Sequence, residues 1–264
     1  MRHTAAIAGR ELRSLFASPV AYVIMTLFAV LAGFFFLTSM LQFMEYIARM
    51  QAFQAFDQLR QLNLNDHVLT PFFGVMAIVL LFAVPMVTMG LIASEKTNGT
   101  EELLLTSPIT LWELVLGKFL AGAAFVSILV GLVGLYPLLL FLYDTPELAR
   151  TGAGLLGLLL MSYTYVAIGL FASSVTRSQL IAVFLALVLL LVLWMVSFLA
   201  DLGAAGGASA GGTVSGLLRY LSTSDHLEPL VRGLVDTKDL AYFALISTGF
   251  LVLTKAAVES VRWR

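Results

Sequence analysis

Residues able to do covalent chemistry are scarce in this chain, and those present are poorly placed for it. There is no cysteine, which removes disulfides, thiolate metal sites and cysteine nucleophiles together. A serine nucleophile is offered by "GASAG" at 207–211, a G-x-S-x-G pattern around Ser209, with Asp225 and His226 downstream. That motif works as a sharp turn between a strand and a helix, whereas here it lies in a Gly/Ala run, so no hydrolase is read from it. His67 and His226 could each ligate a metal, but without H-E-x-x-H spacing no metal centre is expected. Nucleotide chemistry needs a phosphate cradle of the form G-x-x-x-x-G-K-[ST]. The only Gly-Lys pair, Gly117-Lys118, is followed by Phe119. The chain is therefore expected to bind no cofactor and to be no enzyme by itself.

What remains is electrostatic and positional. It is concentrated in "SEKTNGTEELLLTSPITLWELVLGK", residues 94–118. Asn98-Gly99 is a strong turn signal. Asn98 with Glu101 three residues on fits a capping pattern, so a short helix is expected over about 99–107, with Glu101 and Glu102 near its N-terminus and Ser107-Pro108 as its stop. Thr110 and Glu113 are spaced as a second capping box before an apolar run. A loop that only had to connect two apolar runs would not need such definition. A short, firmly capped helix between two spans can pass a push from a partner into the bilayer.

The elements that must hold this segment are membrane spans. The chain is 60 % hydrophobic and 12 % charged, with a mean hydropathy of +0.96, against roughly 45–50 % and about 25 % for a soluble protein. Stretches free of Asp, Glu, Lys and Arg occupy 14–44, 68–94, 119–143, 151–176, 178–200 and 240–254. A crossing helix needs roughly 20 apolar residues. The last stretch reaches that length by continuing past Lys255, which can snorkel to the interface. The first is too long for a signal-peptide core and lacks a small-residue cleavage site, so it is read as a retained span. The expected fold is all-α and polytopic. Its six transmembrane helices lie at about 20–41, 68–93, 117–142, 152–173, 179–200 and 239–258, with longer segments at 42–66 and 201–238.

Six spans put both termini on one side. With that side cytoplasmic, nine Lys and Arg fall inside and six outside, which favours cytoplasmic termini by the positive-inside rule. The segment at 94–118 then faces the cytoplasm, and 42–66 and 201–238 face outward. No basic cluster asks for nucleic acid.

The flanking pieces carry weaker signals. Residues 1–18 place Ile7, Leu12, Leu15 and Phe16 near one helical face, with Arg10 and Arg13 off it, as in an amphipathic helix lying on the inner leaflet. In 42–66, Phe43, Tyr46, Met50, Phe53 and Phe56 recur at helical spacing, so the first span is expected to continue outward and to pack on 201–238. Pro85 and Pro137 are expected to kink their spans. Gly152, Gly154 and Gly157 are expected to let helices approach closely.

The 94–118 segment resembles the stretch between the second and third spans of permeases of the ABC-2 exporter family. The matching positions are Glu95, Lys96, Gly99, Thr100, Glu101 or Glu102, Leu103, Leu104, Pro108, Gly117 and Lys118. "ASSVTRSQLIA" and "YLSTSDHLEPLVRGLVDTKDLAYF" resemble the family's turn between spans four and five and its lead into span six. Within the family the chain looks closest to gliding-motility-associated permeases, with copper-enzyme-maturation permeases similar in outline. The resemblance implies a bacterial inner-membrane subunit with both termini cytoplasmic. It implies a second permease chain, the same or related, and a separate ABC ATPase subunit that carries ATP and Mg. A coupling helix formed by Thr100, Glu101, Glu102, Leu103 and Leu104, flanked by Glu95, Lys96, Gly99 and Pro108, would meet that ATPase.

Other classes stay open at this stage. An ion-coupled transporter would want ionisable groups near mid-membrane, and the six stretches have none. A non-transporting scaffold would share the spans and need no ATPase. The substrate is unknown. Ser162, Tyr163, Thr164 and Tyr165 suit an amphiphilic cargo, and the same spans suit transmission of force to an accessory protein on the outer face.

Overall fold

The computed structural model describes residues 2–53, 63–99, 110–140, 147–205, 216 and 218–261. Helix α1 is Arg2–Ala17 and α2 is Pro19–Ala52. A π-helical turn, Asn65–Leu69, leads into α3, Thr70–Thr88, and α4 follows at Gly90–Thr97. Then come α5 (Leu111–Leu140), α6 (Leu148–Val175), α7 (Gln179–Ala205), α8 (Thr223–Val231) and α9 (Thr237–Val261). No strand occurs among the described residues. Among the described residues six segments are long and apolar enough to cross a membrane: α2, the turn with α3 and α4, α5, α6, α7 and α9. The protein is an all-α polytopic membrane protein.

Helix α6 is the axis. Of its most apolar window 67 % is buried, against 22 % in α2 and α7 and 28 % in α9. It packs on α9, α3, α5, α7 and α8 in turn. In lipid there is no hydrophobic drive to bring helices together, so close backbone approach and van der Waals contact must do it. A Cβ on Gly154 would meet Phe73 at 2.6 Å, and one on Gly157 would meet Leu230 at 2.9 Å. One on Gly169 would meet Thr88 Oγ1 at 2.1 Å, whereas Gly152 faces open space. Around this axis Phe72, Phe73, Met76, Leu80, Phe125, Leu129 and Met161 close a continuous core.

Ser18 and Pro19 start α2 sharply. The serine side chain accepts from the Val20 amide, and the proline stands in the first turn, where its missing N–H costs nothing. At 34 residues the helix is ~51 Å long against ~30 Å of hydrocarbon. It therefore continues beyond the bilayer, as the spacing in 42–66 suggests. Phe43 and Tyr46 stack on His67 of the π-turn, with centroids 6.0 and 5.2 Å away, and residues 206–215 of the 201–238 segment lie outside the described part. Residues 54–62, including Phe56, lie outside the described part.

Helix α1 is seated on the first half of α5. Ile7 fits against Gly117, where a Cβ would meet it at 2.7 Å, and Phe16 packs against Phe125 at 5.6 Å. The apolar face is the one expected, but protein covers much of it.

Pro85 and Pro137 both fall inside helices. Beyond Pro85 the second span breaks at Met89 and restarts at Gly90, so α3 and α4 are one span in two pieces.

Candidate functional site: the neck of the 100–109 loop

Four chain segments meet on either side of residues 100–109, which lie outside the described part: the end of α4, the start of α5, the end of α6, and α1. Each is fixed by local chemistry. On the leading side, Asn98 N–H donates to Ser94 O at 2.9 Å, and Gly99 follows with φ of +68°. This left-handed residue suits glycine and ends the helix. On the returning side, Thr110 N donates to Glu113 Oε2 at 3.1 Å and Glu113 N to Thr110 Oγ1 at 3.2 Å. This is the reciprocal capping box expected from the spacing.

The break in the second span is mended by another helix. Restarting at Gly90 leaves the first amides of α4 without intrahelical acceptors. Ser173 Oγ, from α6, accepts from Ile92 N at 3.1 Å and Ala93 N at 2.9 Å, and donates to Met89 O at 2.9 Å. It acts as an N-cap supplied from across the bundle. Nearby, Lys96 Nζ donates to Ser174 O, and Thr97 Oγ1 lies 2.6 Å from Arg177 O.

Among these segments sits an ionic cluster around a buried lysine. The Lys118 side chain is 1 % exposed. Its ammonium donates to Glu95 Oε1 at 2.7 Å, to Glu11 Oε1 at 3.3 Å and to Leu91 O, which uses its full complement of three donors. Arg10 lies 2.8 Å from Glu11 and 3.7 Å from Glu95, so two cations balance two carboxylates. The hydrogen bond from Arg10 to Glu11 holds that guanidinium above its ordinary range. Glu95 precedes residues 100–109, Lys118 follows them and Glu11 belongs to α1. One ammonium thus ties the segments on both sides to the N-terminal helix. The neighbouring Gly117 is where Ile7 of α1 seats, so Gly117-Lys118 is a docking pair for α1.

Of the residues singled out in the sequence, Glu95, Lys96 and Gly99 stand at this neck, with Glu95 turned inward to Lys118 and Lys96 toward α6. Thr100, Glu101, Glu102, Leu103, Leu104 and Pro108 lie outside the described residues, as does the short helix expected over 99–107 beyond Gly99. Sequence reading did not single out Glu11, Arg10 or Ser173 for this site, and used Lys118 only as a motif letter. The available signal was Lys118 standing at the head of the long apolar run of α5.

The second polar centre lies at the other end of the bundle. His226 Nδ1 is 2.6 Å from Asp239 Oδ1, and Nε2 is 3.1 Å from Tyr220 O. The ring stacks on Tyr242 with centroids 4.0 Å apart. With Nε2 on a backbone carbonyl, the imidazole has no nitrogen left to activate a serine, and its carboxylate partner is Asp239 rather than Asp225. Ser209 lies outside the described residues.

No curated protein matches the chain. The family model described as "ABC-2 family transporter protein" matches residues 5–258.

Proposed function

The chain belongs to the ABC-2 transporter family, and from that premise we propose that it is the membrane permease of an exporter or force-transmitting machine driven by a separate ATPase subunit. The observation that carries this reading is the Lys118 cluster at the neck. A buried ion pair is poor evidence of stability, since an apolar side chain of similar volume often serves as well or better. Its use is geometric. A partner bearing on 100–109 moves a neck whose two sides and N-terminal helix are held on one cation. The loop thereby addresses α1, the broken second span and α5 together.

In this reading Glu101 and Glu102 meet basic or amide groups of the ATPase, Leu103 and Leu104 fill its groove, and ATP and Mg reside on that subunit. The termini are cytoplasmic and the membrane is the bacterial inner membrane. A second permease chain covers the apolar sides that α2 and α7 present outward, including Leu27, Val30, Phe34, Phe184 and Val188. A cavity of about 200 Å³ between the α1–α2 elbow, α3 and the start of α7 is lined by Leu15, Ser18, Ile24, Met86, Gly90 and Gln179. It suits an amphiphilic molecule from the inner leaflet. The likeness to gliding-motility permeases favours the force-transmitting variant and rests on the quoted segments alone.

The test is purification of the tagged protein from detergent-solubilised native membranes, followed by mass spectrometry and an ATPase assay. A stoichiometric P-loop subunit should co-purify and be lost on joint replacement Glu101→Arg and Glu102→Arg, with insertion unchanged. If no nucleotide-binding protein accompanies the wild-type chain, the ATPase reading fails and the scaffold reading takes its place.

A further inference from the structure

The cavity at the α1–α2 elbow does not end there. A second cavity of about 100 Å³ continues from it between α2 and α3, and Ile24 and Met86 line both. Together they form one slot. Its floor is buried, with Ala21, Phe28 and Phe125 each at most 5 % exposed. Its rim, Leu27, Phe82 and Met86, is exposed on the outside of the bundle.

The slot runs along the spans. Its lining extends from Ala21 to Leu31 on one wall and from Met89 back to Val79 on the other. Ten helical steps on each wall give ~15 Å of slot, half of the ~30 Å hydrocarbon core and so the depth of one leaflet. The chemistry changes along that length. From Ile24 to Leu31 and from Met86 to Val79 every described lining side chain is apolar. Among the described residues polar side chains join the lining at the elbow end, as Ser18 and Gln179. The Gln179 amide stands over Gly90, 3.9 Å from where a Cβ would lie. Gln179 opens α7 from the turn that joins it to α6, and in that turn the Arg177 carbonyl accepts from Thr97 Oγ1 at 2.6 Å. The Arg177 side chain is exposed. The carboxylates of this end, Glu11 and Glu95, are turned to Lys118, and no acidic side chain is among the described residues lining the slot.

We propose that the slot binds an anionic phospholipid from the leaflet at the neck end, with one acyl chain between α2 and α3 and the phosphate-bearing head at Gln179 and Arg177. The order of groups along the slot is the order along the lipid: hydrocarbon, then hydroxyl and amide partners for the ester region, then a guanidinium for the phosphate. Burial alone gives the tail little, since the surrounding lipid is equally apolar. The trough orders one chain by close contact, and the guanidinium selects the head. Leu27 is shared with the face assigned above to a second permease chain, so the tail lies at the margin of that contact. The proposal rests on the reading of the elbow cavity as a site for an amphiphile and not on the ATPase.

The probe is phosphatidylglycerol with a photoreactive diazirine at mid-chain, a trace component of phosphatidylcholine nanodiscs holding the purified full chain. Peptide mass spectrometry after irradiation locates the adducts. Leu27, Phe82 and Met86 should be labelled several-fold above Leu245 and Leu253, exposed apolar positions on α9. The same diazirine on phosphatidylcholine should label the slot about fivefold less, the preference one basic residue near a membrane surface confers. Arg177→Gln should abolish that preference and leave tail labelling in place. Ala83→Phe, which fills the trough from α3, should remove the excess at Leu27 and Met86 and leave Leu253 unchanged. Slot labelling no greater than that of α9 overturns the proposal, and so does equal labelling by the two lipids. Occupation by a second chain overturns it too, and would show as disulfide-linked dimers of Phe82→Cys without slot adducts. Should a variant fail to fold, the two wild-type comparisons decide. An unlabelled slot in a chain that still co-purifies with a P-loop subunit overturns the lipid site alone.

Discussion

Removing the Lys118 ammonium takes the buried cation from between the half-buried Glu11 and Glu95 and leaves the mostly exposed Arg10 beside them. Lys118→Ala is therefore expected to cost about 3–5 kcal/mol, the range for breaking a buried pair from one side. Thermal unfolding in detergent measures this. The triple change Lys118→Met, Glu11→Gln and Glu95→Gln removes the charges together and should recover most of the lost stability. It should nevertheless weaken the link between ATP hydrolysis and transport in the assembled complex. Recovery of both properties would mean that the cluster only fills space. Ser173→Ala strips the acceptor from the Ile92 and Ala93 amides and should cost about 1–3 kcal/mol for buried donors left unmade. The same unfolding assay reads it.

At the level of elements, the fit of α6 against the broken second span depends on one missing methyl. Gly169→Ala would place a Cβ 2.1 Å from Thr88 Oγ1 and 2.9 Å from Thr88 Cβ. Overpacking of this kind typically costs about 1–3 kcal/mol. Thr88→Ala in the same chain removes the nearer clash and should restore part of the loss, whereas Thr88→Ala alone should not stabilise. Non-additivity of the two changes in a double-mutant cycle is the check.

Local signals were legible in the sequence because local chemistry makes them. Thr110 and Glu113 form their box three residues apart, and Asn98-Gly99 ends α4 within one turn. The ionic cluster was not legible, since Glu11 meets Lys118 across 107 residues and Ser173 meets Ile92 across 81. Nor was the seat of α1. Periodicity shows which face of a helix is apolar, but not whether lipid or Gly117 and Phe125 will cover it.

For the whole molecule, the arrangement of spans followed from where charge is absent, because an unpaired charge in hydrocarbon is too costly to leave there. Their packing order did not follow, since six apolar stretches look alike until Gly154, Gly157 and Gly169 choose partners for α6. The topology makes a prediction of its own. Single cysteines at Phe53 and Leu234, both exposed, should react with a membrane-impermeant maleimide in intact cells. A cysteine at Ser14 should react only after permeabilisation. The reverse pattern would invert the orientation. A second prediction concerns pairing. Phe34→Cys or Phe184→Cys, on the outward faces of α2 and α7, should form disulfide-linked dimers in membranes under mild oxidation, and Leu245→Cys on α9 should not.

The trans-supplied cap at Ser173 has a consequence for biogenesis. A chain is delivered to the bilayer from its N-terminus, so the lower half of the second span arrives about 80 residues before the hydroxyl that completes it. Until the fourth span is threaded alongside, the Ile92 and Ala93 amides at the end of the second span lack the hydroxyl that later accepts from them. This turn is therefore completed only when a helix still being made arrives. A ribosome-stalled product ending after the third span should present this unfinished turn to the membrane's quality-control proteases, and one that includes Ser173 should escape them.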